Sequence, residues 1–231
     1  MLKDDSIKKG DGIFVLNNDE LRRLKFNKTE LEKIKPYYTT KELKKYFGNS
    51  KNEYYIIYAD LEVRSNIEKY QNIKAHLDRF KKVLTSAFKP YGLHRPREQK
   101  FFEGEKIFSL RKTKEVSFTY TDFPCYVSRA FIIIKPEDLN LKYLTGLLNS
   151  KLIHFWLNFK GKKQGEQLQV DKAPLLELPI YKPENKEELK IQEEIIKTFD
   201  LIIEASKKLQ NIKLDSEKHL LEKQIKSFEE K

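Results

Sequence analysis

Short runs of β-branched and aromatic residues alternate with amphipathic stretches along most of the chain. Such runs predict strands, and they lie at residues 54–58, 107–108, 116–120 and 131–134. Apolar residues three and four positions apart predict a helix over 73–84, with Asn72 as its cap, and a helical stripe over 144–156. This mixture predicts an α+β fold in which a mixed sheet packs against helices.

The last part of the chain has a different pattern. Residues 161–172 are polar and bracketed by glycines, which predicts a loop, and two prolines then frame a short extended piece, LLELPI. From residue 189 to 209 the apolar residues share one broad helical face, and residues 220–228 carry a shorter one. These stretches predict a C-terminal α-helical hairpin. Its apolar faces need a partner surface, which is the first part, another domain or, in an oligomer, another copy.

Charge divides the chain at the same place. The formal net charge is +11, and residues 184–231 contain 10 Lys and 12 Asp and Glu. The whole positive surplus therefore lies in residues 1–183. We predict two domains, 1–183 and 184–231, separated near a proline. Such a surplus favours a polyanion or an anionic membrane surface as partner, and an indiscriminate use of lysine at solvated positions is the alternative explanation.

The residues needed for several kinds of chemistry are missing. Cys125 is the only cysteine, so no disulfide can form within the chain, and the four histidines are scattered, which argues against a zinc site. No GxGxxG, GxxxxGK[ST] or GxSxG motif occurs, so common nucleotide sites and a serine nucleophile lack support. The N-terminus lacks an apolar signal core, and no apolar run approaches membrane-spanning length. We therefore expect a cytoplasmic protein with no membrane partner.

A small metal-dependent nuclease is the rival hypothesis. A common nuclease motif ends in Glu-x-Lys, and such triplets occur at 42–44, 98–100 and 188–190. Metal-assisted hydrolysis needs converging carboxylates, and no strand-borne Asp precedes these triplets in convincing register. A third hypothesis is an assembly protein whose C-terminal helices matter most and whose charge is incidental.

Three basic segments are candidates for contact with a polyanion. They are IKPYYTTKEL at 34–43, LHRPRE at 93–98 and KGKKQGEQ at 160–167. Arg can form two hydrogen bonds with guanine or with a phosphate, Gln can form two with adenine, and Lys neutralises phosphates. A solvated turn is the alternative for each segment, and for Arg95 and Arg97 a structural salt bridge with Glu98 is the main competitor.

The order of these and other segments resembles a known family. The segments are IKPYYTTKELKKY, YYIIY, NIKAHLDRFKKVL, LHRPRE, KIFSLR, CYV, YLTGLLNSKLIHFW and LLELPI. Together they resemble the TaqI-like C-terminal specificity domain, which is the target-recognition domain of adenine-N6 DNA methyltransferases and of Type IIG restriction-modification enzymes. The resemblance covers most of residues 10–183, and residues 184–231 look like the helical spacer of related specificity subunits.

The resemblance implies a module that recognises a specific sequence in double-stranded DNA and positions a catalytic domain there. The family's catalytic motif, Asn/Asp-Pro-Pro-Tyr/Phe, and its Gly-rich S-adenosylmethionine motif are absent from this sequence. We therefore expect no catalytic residue and no cofactor in this chain. S-adenosylmethionine and Mg²⁺ would belong to an adenine methyltransferase or endonuclease partner, in the same parent chain or in a separate subunit.

The resemblance also directs attention to candidate DNA-binding residues. They are basic, histidine or amide side chains in the three segments, with one more just after the strand predicted at 107–108: Lys35, Lys41, His94, Arg95, Arg97, Arg111, Lys160, Lys162, Lys163 and Gln164. Among these, Arg95 and Arg97 are the best candidates to read bases or phosphates.

Other residues of the same motifs are expected to have structural roles. Tyr37, Tyr38 and Trp156 should pack against the protein. Asn149 and Ser150 should end one helix and begin the next, because both are favoured at helix ends.

Overall fold

The structure is a computed structural model that describes residue 7 and residues 10–84, 88–212 and 214–230. It has the mixed α+β fold that the sequence predicts. The described residues form two compact units. The first comprises segments within 1–39, 51–102 and 124–127, and the second comprises segments within 40–50, 103–123 and 128–231.

The described secondary structure is as follows. The strands are β1 (Val15–Asn17), β2 (Ile34–Tyr38), β3 (Tyr46–Phe47), β4 (Tyr54–Ile57), β5 (Lys106–Leu110), β6 (Lys112–Thr113), β7 (Phe118–Thr121), β8 (Tyr126–Val127), β9 (Phe131–Ile134), β10 (Lys162–Gln164) and β11 (Gln167–Gln169). The helices are α1 (Asn18–Arg23), α2 (Lys28–Leu31), α3 (Leu61–Ser65), α4 (Gln71–Asp78), α5 (Leu141–Leu148), α6 (Lys151–Lys160), α7 (Lys172–Leu176), α8 (Lys186–Asn211) and α9 (Asp215–Glu229). None of these helices combines the length and the apolar character needed to cross a bilayer.

The first unit is built on a four-stranded sheet. Its strand order is β1-β4-β2-β8, with β8 parallel to β2 and the other pairs antiparallel. Five fully buried side chains from β1, β4, α3 and α4 form its core: Leu16, Ile57, Val63, Ile73 and Leu77. Full burial of such a side chain contributes about 1.5–3 kcal/mol, so this core holds both helices against the sheet.

A buried carboxylate fixes the start of α4. Glu30, at the end of α2, is fully buried and accepts the backbone N–H of Asn72 at 2.6 Å and that of Ile73 at 3.2 Å. The prediction that Asn72 caps the helix is therefore wrong. Helix α4 begins at Gln71, and Glu30 accepts N–H groups of its first turn that have no partner within the helix. The helix also ends at Asp78, earlier than predicted, because several of the next N–H groups bond to carbonyls three residues back.

The second unit contains two sheets and the C-terminal helices. In the sheet β3-β7-β5-β9, β3 runs parallel to β7 and the other pairs are antiparallel, whereas β10-β11-β6 is a smaller antiparallel sheet. Phe118 of β7, Leu157 of α6 and Phe199 of α8 belong to one buried cluster. The predicted C-terminal hairpin is confirmed, since α8 and α9 pack against each other. Both helices belong to the second unit, and the domain boundary at residue 183 stays a prediction.

The Asn149-Ser150 pair ends α5 and begins α6, as predicted. The Asn149 amide accepts the backbone N–H of Phe118 at 3.0 Å and donates to the carbonyl of Phe118 at 2.8 Å. Ser150 caps α6 by accepting a backbone N–H of its first turn at 3.3 Å. The residues of the single helical stripe predicted over 144–156 are thus divided between two helices, α5 and α6. As a result, Leu152 is 70% exposed and does not face the core.

Two predictions for the segment after α6 are wrong. The expected loop is the β-hairpin β10–β11, because β11 also pairs with β6 and Leu168 is buried against the core. Neither strand has the β-branched run by which strands are recognised in sequence. The expected extended piece begins with helix α7.

Candidate nucleic-acid interface

Five of the ten candidate residues lie in the small sheet of the second unit or within two residues of its strands. They are Arg111, Lys160, Lys162, Lys163 and Gln164. We call residues 111–114 and 160–169 the basic sheet. Arg111 is tied to it because its carbonyl accepts the Val170 N–H at 2.8 Å, directly after β11.

The register of the basic sheet divides its side chains between two faces. Directly paired residues share a face, and neighbours along a strand alternate. Three register pairs therefore define one side, which we call the polar face: Lys162 with Gln169, Gln164 with Gln167, and Gln169 with Lys112. Lys163 lies on the other face, because it pairs with Leu168, which is only 4% exposed.

Side-chain contacts organise the polar face. The Lys112 Nζ donates to Gln164 Oε1 at 2.7 Å, and the Gln169 amide donates to an Asp171 carboxylate oxygen at 2.7 Å. Within the described part of the chain, Lys162 forms no salt bridge. The polar face thus offers an unneutralised ammonium group beside glutamine amides, which is the combination that suits phosphates and base edges.

Sequence reasoning missed Lys112, which belongs to the polar face. A signal existed, since RKTK at 111–114 is a basic run separated by two residues from the strand predicted at 107–108. Lys114, in the same run, forms an ion pair with Glu166, which lies in the turn between β10 and β11. The register between β6 and β11, which brings the two segments together, is not visible in the sequence.

Two glycines shape the hairpin. A Cβ on Gly161 would lie 2.5 Å from the Leu157 carbonyl oxygen and 2.6 Å from Leu168 Cδ1, so the chain can pass from α6 to β10 only without a side chain. Gly165, in the hairpin turn, has φ +59°, which glycine adopts without strain. These positions let α6 and the hairpin form one continuous surface segment.

The loop 93–98 presents its basic residues in the first unit. His94 and Arg95 are exposed, and Arg97 is half-buried. The Tyr58 hydroxyl donates a hydrogen bond to the Arg97 carbonyl, and burial raises the pKa of Tyr58 to about 12, so the donor keeps its proton at neutral pH. The N–H of Leu93, the first residue of the loop, donates to the carbonyl of Ala59, just after β4, at 2.9 Å. The loop backbone is therefore held in place, with the side chains of His94 and Arg95 exposed to solvent and that of Arg97 half-buried.

Arg95 has a left-handed φ of +54°, which is uncommon for a residue with a Cβ. It borders a hollow of about 250 Å³ that is also lined by Arg64 and Phe88. The Arg64 guanidinium lies 4.5 Å from the centre of the Phe88 ring. Glu98, considered above as a salt-bridge partner for the loop arginines, forms an ion pair with Lys100 at 2.7 Å. Arg64 and Arg95 thus line one small, largely apolar hollow, together with Asp60.

The remaining two candidates lie outside the basic sheet and the loop. Lys35 is half-buried on β2, opposite Ile56 of β4, and Lys41 is exposed between β2 and β3. Of the neighbouring tyrosines, Tyr38 is buried, which agrees with its predicted packing role.

The Glu-x-Lys triplets have ordinary structural surroundings. Glu42 is buried, and Glu98 pairs with Lys100. Glu188 accepts the N–H of Glu184 at 2.9 Å and closes a capping box at the start of α8; these backbone hydrogen bonds lower its pKa. Among the described residues, no three His, Cys, Asp or Glu side chains are grouped so that they could hold a metal ion.

Comparison with known proteins adds independent observations. The sequence model of the TaqI-like C-terminal specificity domain matches residues 35–180, which include all ten candidate residues. Among solved structures, the chain is similar to the Type IIL restriction-modification enzyme MmeI in complex with DNA, with a TM-score of 0.64 and 14% sequence identity. The similarity covers 95% of this chain and 30% of the enzyme, so the chain spans about a third of that protein's length. Curated protein sequences gave no match.

Proposed function

The chain belongs to the TaqI-like C-terminal specificity domain family, and from this membership we propose that it recognises a specific sequence of double-stranded DNA for a larger restriction-modification enzyme. The family assignment supports a role in specificity. The fold shared with an enzyme solved in complex with DNA supports DNA as the ligand.

The observation that carries this proposal is the polar face of the basic sheet. Lys112 and Lys162 share it with Gln164, Gln167 and Gln169. The major groove of DNA admits a two-stranded β-ribbon, and a glutamine amide can form two hydrogen bonds to adenine there. The lysines neutralise flanking phosphates and release counterions, which supplies affinity but no sequence preference.

A second contact comes from the loop of the first unit. Arg95 is exposed on a backbone that Tyr58 holds through its hydrogen bond to Arg97. The Arg95 guanidinium, carried on this held backbone, can form two hydrogen bonds with guanine or with phosphate, and a good bidentate base contact provides about 1–3 kcal/mol of discrimination. We assign base reading to Arg95 and to the polar-face glutamines.

Catalysis belongs, in this proposal, to a separate part of the enzyme. The absence of the family's methyltransferase motifs from the sequence supports an adenine-N6 methyltransferase or endonuclease domain as partner, in the same parent chain or as a separate subunit. S-adenosylmethionine would bind to that partner. The C-terminal hairpin α8–α9 would set the distance between recognition and catalysis.

Selection from a pool of randomised duplexes tests the proposal. The purified chain should retain DNA in a salt-sensitive manner and enrich a short motif. Gln164→Ala should weaken the base preference at one position of that motif. Lys218→Gln, a change at an exposed residue of α9, should leave the base preferences unchanged. Absence of binding even at low salt would refute the proposal. Magnesium-dependent cleavage of plasmid that is lost in Glu98→Ala would favour the nuclease hypothesis.

A further inference from the structure

Helix α6 presents a ridge of large apolar side chains to solvent. Leu152, Phe155 and Phe159 are 70%, 72% and 80% exposed, and their spacings of three and four residues place them on one helix face. On the opposite side, Ile153 and Leu157 are buried in the core of the second unit. Single exposed apolar residues are common, but three adjacent ones on a well-anchored helix mark a binding surface.

The chain segment that carries this α6 ridge is basic, which favours a polyanion as its partner. Lys142 is paired with Asp200 of α8, and Lys151 borders a hollow that Glu194 also lines, so among the described residues the unpaired positive charge lies toward the Lys160 end. Residues 141–165 contain five Lys and no Asp or Glu, although the chain as a whole carries 35 acidic residues. Lys151 and Lys160, at the two ends of α6, are both exposed. Through Gly161, whose N–H bonds to the helix at 2.7 Å, α6 continues directly into β10 of the basic sheet. The ridge is thus carried on the same continuous chain segment as Lys162 and Gln164.

We propose that Phe155 and Phe159 act as an apolar wedge that contacts the bases of the bound DNA and partly unstacks a base step. This inference rests on the proposed function. Proteins that deform DNA insert phenylalanine and other apolar side chains between base pairs, with basic residues on the flanking phosphates. Base–aromatic stacking also works without regard to sequence, because every base has a π-face.

A second copy of this chain is a poorer occupant of the ridge. In a two-fold dimer the same patch meets itself, so the exposed Lys151 and Lys160 of each copy would approach those of the other. Like charges brought together at an interface oppose association. DNA instead brings phosphates to these lysines and base faces to the phenylalanines.

The test compares Phe155→Ser/Phe159→Ser with the wild-type chain on the duplex enriched by selection. Leu220→Ser, which changes a 68% exposed residue of α9, is the matched control. Removal of the rings should weaken binding roughly tenfold or more, which corresponds to the stacking of one base. The slope of affinity against salt should not change, because no phosphate contact is removed. In duplexes with 2-aminopurine at successive positions, the wild type should raise the fluorescence at one step, and the double variant should not.

The possible outcomes separate the wedge from the proposed function. If the wild type binds the selected duplex but unstacks no base, or if the double variant binds equally well, the wedge is refuted and DNA recognition stands. If the serine pair alters the oligomeric state in sedimentation and leaves DNA binding intact, the ridge is a protein interface and the wedge is also refuted. If the wild type binds no duplex, both ideas fail. Phe155→Leu/Phe159→Leu keeps an apolar ridge without rings and should recover only part of the affinity, and circular dichroism confirms that each variant folds.

Discussion

Replacement of Lys162 by Gln should reduce the salt dependence of DNA binding, whereas the same replacement of Lys163 should leave it nearly unchanged. Lys162 belongs to the polar face, but Lys163 pairs with the buried Leu168 and lies on the opposite face. Both changes remove one positive charge from adjacent positions, so the long-range attraction to DNA falls about equally. A difference between the two variants therefore reports direct contact with a phosphate.

The expected magnitude follows from counterion release. Each phosphate that a protein neutralises on duplex DNA contributes about −0.9 to the slope of log affinity against log salt concentration. The loss of one contact should flatten the slope by about 0.9. A fourfold increase in salt would then weaken the wild type about 3.5 times more than the Lys162→Gln variant.

The assay is fluorescence anisotropy with the selected duplex at several salt concentrations. Lys218→Gln, on α9, controls for the loss of a charge far along the chain from the basic sheet. Equal slopes for Lys162→Gln and Lys163→Gln, or a larger change for Lys163→Gln, would refute the assignment of the polar face as the side that meets DNA.

Three further predictions concern specificity and stability. Arg95→Ala should relax the selected motif at one position, with a loss of discrimination of about 1–3 kcal/mol, as read from selection and from binding to single-base variants. Glu30→Ala should lower the free energy of unfolding by about 1–3 kcal/mol, because two N–H groups of α4 lose their acceptor; Glu32→Ala, at an exposed site, should cost little in the same urea titration. Burial lowers the pKa of His76 from its ordinary 6.5, so the unfolded chain binds more protons below that value, and the free energy of unfolding should fall as the pH drops below 6.5. The His76→Gln variant should lack this part of the pH dependence in urea titrations at pH 7.5 and 5.5.

The sequence predicted the elements that carry a strong local signal. The strands at 54–58 and 131–134 are continuous runs of β-branched and aromatic residues, and in the C-terminal hairpin apolar side chains repeat with the period of a helix. The β10–β11 hairpin was mistaken for a loop because its strands hold a single buried side chain, Leu168, and are stabilised by pairing with the distant β6. Residues that owe their structure to long-range pairing give no local signal.

The candidate site was predictable in composition but not in arrangement. A basic, glutamine-containing segment at 160–167 was recognisable, as were the arginines of the loop 93–98. Which side chains share a face depends on register, and register depends on partners far apart in sequence. For this reason Lys112 was missed, and Lys162 and Lys163 could not be told apart.

In the proposed function, the basic sheet separates the residues that stabilise the fold from those that would contact DNA. Leu168 and the chain passage at Gly161 anchor the hairpin on one side, whereas the other side holds only Lys and Gln residues, none of them in the core. Substitutions on the polar face should therefore change which bases are contacted at little cost to the stability of the fold, because exposed positions rarely shift the free energy of unfolding by more than about 0.5 kcal/mol. A specificity domain needs this property, because its target can change only if the residues that read DNA are not the ones that hold the domain together.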